Sequence, residues 1–112
     1  MKKQEAPSVD LTPEELALLR SVFRSEPRVL IFGSRALGTS RPFSDLDLCI
    51  QRDAPIPLTE LAAFRDLLRE SNLPYLVDLI DYATLSPGFR KIVDETGRPL
   101  QSVLPKRPRN QP

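Results

Sequence analysis

Apolar positions near the start of the chain recur at helical spacing. Leu16, Leu19, Val22 and Phe23 fall on one face. The residues before them carry helix-start signals. Thr12 can N-cap, Pro13 suits the first helical position, and Glu15 completes a capping box. Leu11 and Leu16 are spaced to pack across that cap as a hydrophobic staple. Pro27 is the expected stop. The period then changes. Arg28-Val29-Leu30-Ile31-Phe32 is a short, partly β-branched run that reads as a buried strand. Gly33-Ser34 breaks it, with Ser34 as candidate N-cap of a short helix over 35–37 that Gly38 stops. A loop over 39–44 follows. From Asp45 to Ile50 the pattern alternates with period two, so Leu46, Leu48 and Ile50 point one way and Asp45, Asp47 and Cys49 the other.

After a turn around Pro55 and Pro57, Leu58, Leu61, Phe64, Leu67 and Leu68 form the apolar stripe of a second long helix, spanning about 59–71. Tyr75 to Asp81 reads as a third strand. Ser86-Pro87 opens a last helix with Phe89, Ile92 and Val93 facing inward and Gly97 at its C-cap. Residues 100–103 read as a short edge strand. The order α-β-α-β-α-β-α predicts an α/β fold, a small mixed sheet flanked by helices. Residues 1–9 read as a flexible leader, 10–104 as the single domain and 105–112 as a disordered basic tail.

Composition narrows the chemistry more than the fold. The chain of 112 residues is long enough for one core and not two. It has no histidine, which removes imidazole acid–base catalysis and His-ligated zinc, and a single cysteine, which removes an internal disulfide and Cys-rich metal sites. The net charge of +1 and 6% aromatic content argue against direct nucleic-acid binding. No apolar run is long enough to span a bilayer and no apolar segment follows the N-terminal lysines, so the cytoplasm is the expected compartment. What chemistry there is falls to carboxylates, hydroxyls, Lys, Arg, Tyr or one thiol.

Aspartate is depleted in strands, yet Asp45 and Asp47 share one side of an apolar strand. Two carboxylates at roughly 5–6 Å repel by about 3 kcal/mol at an effective dielectric near 20, a cost that a cation would cancel. An oxygen-only ligand set suits a hard ion such as Mg²⁺. Asp78, between Val77 and Leu79, is a third strand aspartate, and if its strand lies beside that of Asp47 all three carboxylates converge. Asp81 competes with it but reads as marking the strand's end. Upstream, Gly33 at a strand-to-helix turn lets phosphate approach the backbone, and the Ser34 hydroxyl adds a hydrogen bond. Arg35 and Arg41 can neutralise phosphate or stand as solvated charges. Ser44 can bond its own loop or join the site. Cys49, Tyr75 and Tyr82 read as packing residues.

Gly33-Ser34, ten residues, then Asp45-x-Asp47 resembles the signature of the nucleotidyltransferase superfamily related to DNA polymerase beta. The longer stretches Phe32-Gly33-Ser34-Arg35-Ala36, Ser44-Asp45-Leu46-Asp47-Leu48 and Pro74-Tyr75-Leu76-Val77-Asp78-Leu79-Ile80 are similar to its minimal nucleotidyltransferase branch, over about 11–104. The resemblance implies the nucleotidyltransferase fold. It implies ATP as donor, two Mg²⁺ ions held by Asp45, Asp47 and Asp78, and a triphosphate contacted by Gly33 and Ser34; Arg35 and Ser44 are further candidates for the nucleotide site on their chemistry alone. It further implies a HEPN toxin as partner, a tyrosine of which receives AMP, so that the chain acts as antitoxin. The alternative within the same resemblance is a non-catalytic subunit that masks a HEPN ribonuclease toxin sterically. Leu37 departs from the branch, which often carries a basic residue there.

Overall fold

The computed structural model describes residues 6–106. Helix α1 (Pro13–Val22) begins as its sequence dictates. The Thr12 hydroxyl accepts from the Glu15 N–H at 3.1 Å and the Glu15 carboxylate accepts from the Thr12 N–H at 2.9 Å. Leu11 and Leu16 are both fully buried. The helix ends at Val22, before Pro27, because Phe23 turns out of the helical conformation and closes the last turn through its N–H to the Leu19 carbonyl.

Strand β1 (Val29–Phe32) leads into the short helix α2 (Ser34–Leu37), then β2 (Leu46–Ile50), α3 (Leu58–Arg69), β3 (Val77–Asp81), a 3-10 turn (Tyr82–Thr84), α4 (Pro87–Thr96) and β4 (Arg98–Pro99). The strands form one mixed sheet in the order β3-β2-β1-β4, with β2 and β3 parallel and the other pairs antiparallel. The expected edge strand is therefore present but lies at Arg98–Pro99. Proline cannot donate to a ladder and is tolerated at such an edge, while Leu100 and Val103 instead turn back into the core.

The two sheet faces are unequal. Leu46, Leu48, Ile50, Val29, Ile31 and Leu79 pack against α1 and α3 through Leu16, Leu19, Phe23, Leu61 and Leu68. Against the opposite face the buried cluster, among the described residues, is Phe32 and Cys49 of the sheet with Val93 of α4, and Leu30, Ile80, Tyr82 and Leu85 lie around them. That asymmetry corrects two helix faces. On α3, Leu58 and Leu67 are 82% and 52% exposed rather than inward, because they lie at the margins of the stripe, where the sheet does not reach. On α4 only Val93 is buried, and Phe89 and Ile92 are 40% and 53% exposed, since one helix on a narrow face leaves its flanks open.

The described part of the leader is docked. Val9 is buried, and Ser8 forms a bridge with Leu104. The start of the expected tail is tied as well, with the Lys106 N–H donating to the Leu11 carbonyl at 2.9 Å. The rest of the leader and of the tail lies outside the described residues. Among those described, no helix is long and apolar enough to cross a membrane.

Candidate active site

The candidate site forms where β1 ends and β2 and β3 begin, so three chain segments deliver residues to one end of the sheet. Registry does the placing. Asp47 is the Cα partner of Phe32 on one side and of Asp78 on the other. The period-two alternation of both strands puts Asp47 and Asp78 on the face covered by α4 and leaves Leu48 and Leu79 in the main core. Asp45 stands one residue before β2 with the same parity as Asp47. Asp45 and Asp78 are exposed and Asp47 is partly buried.

Electrostatics follow from that placement. Burial pushes the Asp47 carboxyl above the ordinary aspartate value, and the neighbouring Asp78 and Asp45 push it further. Among the described residues none of the three carboxylates accepts a hydrogen bond or pairs with a cation. Nor, among the described residues, do any three acidic or cysteine side chains close tightly enough to enclose an ion unaided. Such an open, all-oxygen, mutually repelling set fits Mg²⁺, which takes one or two carboxylates and completes its shell with waters and substrate phosphate.

Gly33 faces this cluster directly. Its φ of 76° and ψ of −158° lie where side chains are strained, and a Cβ there would sit 2.3 Å from Asp47 Oδ2. Glycine thus meets two demands, a sharp strand-to-helix turn and room for the carboxylate. It is also Gly33, not Ser34, that occupies the N-cap of α2. Ser34 is the first helical residue, and Gly38 closes the helix in the left-handed conformation.

The other expected site residues are placed differently. Arg35 is only 5% exposed and turned inward. Its guanidinium donates to the carbonyls of Ser44, Pro42 and Asp10 and lies 3.9 Å from the centre of the Tyr75 ring. It is turned from solvent toward backbone carbonyls and the Tyr75 ring. The Ser44 hydroxyl accepts from the Arg41 N–H at 2.8 Å, which closes the turn just before Asp45. Asp81 is buried, with its carboxylate accepting from the N–H groups of Ile56 and Ala83, and so caps the 3-10 turn away from Asp78. Cys49 is buried and its thiol is pushed up to about 12 by burial, which removes it as a nucleophile. The Tyr82 hydroxyl is engaged by Asp94 at 2.9 Å.

Asp10 is a participant the sequence pattern did not single out. Its carboxylate accepts from both the N–H and the hydroxyl of Ser40, and its backbone exchanges bonds with Arg35. No local spacing could signal it, because its partners lie 25 to 30 residues away.

Comparison with known proteins agrees with this geometry. Residues 19–103 match the family described as Polymerase beta, Nucleotidyltransferase. The chain is 36% identical over 88 residues to the Probable protein adenylyltransferase MntA of Haemophilus influenzae (strain ATCC 51907 / DSM 11121 / KW20 / Rd), covering 76% of this chain and 77% of that protein. The fold also resembles a crystal structure of a toxin-antitoxin with AMP-PNP, with a TM-score of 0.64 and 22% identity, over 76% of this chain and 71% of that one.

Proposed function

Since this chain belongs to the minimal nucleotidyltransferase family of the polymerase beta-like superfamily, we propose that it transfers AMP from ATP to a protein hydroxyl and acts as an antitoxin. The observation that carries the reading is the unpartnered trio Asp45, Asp47 and Asp78 set against Gly33. A fold kept only for masking a partner has no need to hold three repelling carboxylates without compensation.

In this reading Asp45, Asp47 and Asp78 would hold the two Mg²⁺ ions. The metals, when bound, neutralise the triphosphate and favour ionisation of the acceptor oxygen. The Gly33-Ser34 turn receives the phosphates against backbone N–H groups. The acceptor oxygen attacks the α-phosphorus, the bond from that phosphorus to the bridging oxygen of the β-phosphate breaks, and pyrophosphate leaves. Asp78, the most exposed of the two face-sharing strand carboxylates, takes the hydroxyl proton or passes it to water. The similarity to MntA supports a protein as acceptor, and the toxin-antitoxin fold neighbour supports a toxin as that protein. A tyrosine of a HEPN toxin is the acceptor the family resemblance favours, and the cytoplasm the compartment.

The position of the label distinguishes this chemistry from phosphoryl transfer. With the partner toxin and Mg²⁺, ATP labelled at the α-phosphorus should mark the toxin and ATP labelled at the γ-phosphorus should not. Transfer of the γ-label would refute AMP transfer.

A further inference from the structure

We infer that Arg35 is a positioning residue of the carboxylate site, a clamp that fixes the segments carrying Asp45 and Asp78 relative to the Gly33 turn. The inference rests on the nucleotidyltransferase reading for its consequence and on geometry for its substance. Arg35 lies two residues beyond Gly33, in the first turn of α2. Its Nε and Nη2 both donate to the Ser44 carbonyl, at 3.1 and 2.9 Å, and Nη2 also donates to the Pro42 carbonyl at 3.2 Å. Ser44 is the residue before Asp45. Nη1 donates to the Asp10 carbonyl at 2.8 Å, and the Asp10 N–H donates back to the Arg35 carbonyl at 2.8 Å. The guanidinium stacks on Tyr75, three residues before Asp78.

A charge buried this deeply is costly unless its donors are satisfied. Among the described residues Arg35 forms no ion pair. Its partners are carbonyl dipoles and an aromatic face, contributed by the segment before α1, the loop before β2 and the segment leading into β3. The rigid fork of arginine suits this, since one head reaches three carbonyl oxygens in fixed directions while its flat face covers a ring. A residue that gripped substrate phosphate would keep its donors free toward the open side. Arg35 commits four of its five N–H donors to backbone carbonyls before any substrate arrives.

The two roles give opposite signs for metal binding. Mn²⁺ binding to the protein without nucleotide is followed by water-proton relaxation for the wild type, Arg35→Lys and Arg35→Gln. Thermal midpoints are recorded alongside, and kcat and KM for ATP measured below them. A clamp predicts Mn²⁺ affinity weakened about tenfold in both variants, as for other residues that orient metal ligands, with kcat falling more than KM rises. A phosphate ligand predicts the reverse: a raised KM, and Mn²⁺ affinity unchanged or higher in Arg35→Gln because a positive charge is gone. That result overturns the inference. So does a lowered midpoint with Mn²⁺ affinity and kcat intact, the mark of a packing role alone. If neither variant folds, Tyr75→Leu removes the stacking face and keeps every Arg35 hydrogen bond. It should weaken Mn²⁺ binding about threefold, and unchanged affinity refutes the clamp. Failure of the wild type to transfer AMP while it binds Mn²⁺, with the affinity loss in the variants intact, refutes the reaction and leaves the clamp standing. A wild type that binds no Mn²⁺ refutes both.

Discussion

Two groups of acidic residues mark opposite ends of β2 and β3, and they are treated in opposite ways. Where the strands end, every carboxylate is answered. Asp81 accepts two backbone N–H groups, and Glu26 and Glu60 share the guanidinium of Arg52, which reaches them from just beyond β2. Where the strands begin, Asp45, Asp47 and Asp78 have one another and, among the described residues, no donor. The same carboxylate chemistry, supplied by Asp81 of β3, by Glu26 before β1 and by Glu60 of α3, is compensated at one end and left open at the other. Compensation at the closed end serves folding. The open end is intelligible as a place prepared for a cation and a phosphate chain.

Breaking the open end should abolish chemistry and spare the fold. Asp45→Asn with Asp47→Asn is expected to lower AMP transfer at least about a thousandfold, the loss of metal-supplied stabilisation, with thermal unfolding unimpaired. Normal toxin neutralisation by that double variant would separate binding from catalysis. Gly33→Ala comes next. Its Cβ would collide with the Asp47 carboxylate, and displacing that carboxylate by an ångström should reduce kcat about 100-fold. The strained φ adds about 2 kcal/mol of destabilisation, measurable by urea unfolding.

The closed end should show the contrary profile. Arg52→Ala leaves the buried Glu26 carboxylate without its partner. It should cost about 2 kcal/mol of stability, below the range of fully buried pairs because Arg52 is 30% exposed. Activity measured well below the lowered midpoint should change little.

The smallest effects are also the sharpest in sign. Asp47 has its pKa raised in the folded protein, by burial and then by Asp78 and Asp45. The folded state therefore binds the proton more tightly than the unfolded chain, and ionised Asp47 destabilises the fold at neutral pH. Asp47→Asn should raise the unfolding free energy at pH 7 by on the order of 1 kcal/mol or less, given solvent screening. That gain should fade as pH falls through the raised carboxyl value. Glu60 is the mirror case, its pKa lowered by the hydrogen bond from Arg52. Its contribution is present above the unfolded carboxyl value and lost as pH falls through the lowered folded one. Glu60→Gln should therefore lower the midpoint at neutral pH and have no effect in strong acid.

Much of this was legible in the residues themselves because it is local or periodic. The Thr12–Glu15 cap, the Leu46-Leu48-Ile50 alternation and the β3 pattern each fix an element or a face within a few positions. The Gly33-to-Asp47 spacing marks the family, while the shared face of Asp47 and Asp78 required the parallel register of β2 and β3 as well as the alternation within each strand. What escaped depends on distant partners. Whether Leu58, Leu67, Phe89 and Ile92 are covered is decided by the width of the sheet face they meet, which helical periodicity does not encode. The inward turn of Arg35 answers to backbone carbonyls at Asp10, Pro42 and Ser44. Every residue type supplies such acceptors, so no pattern of side chains announces them. The docking of Val9 and Lys106 has the same origin.

The central claim is tested most directly by incubating the purified protein with the proposed partner toxin, α-labelled ATP and Mg²⁺, with EDTA as control. The account predicts metal-dependent label on the toxin with the wild type and none with Asp45→Asn, Asp47→Asn. A stable complex that acquires no label under any divalent metal, or label that persists in the double variant, would contradict it.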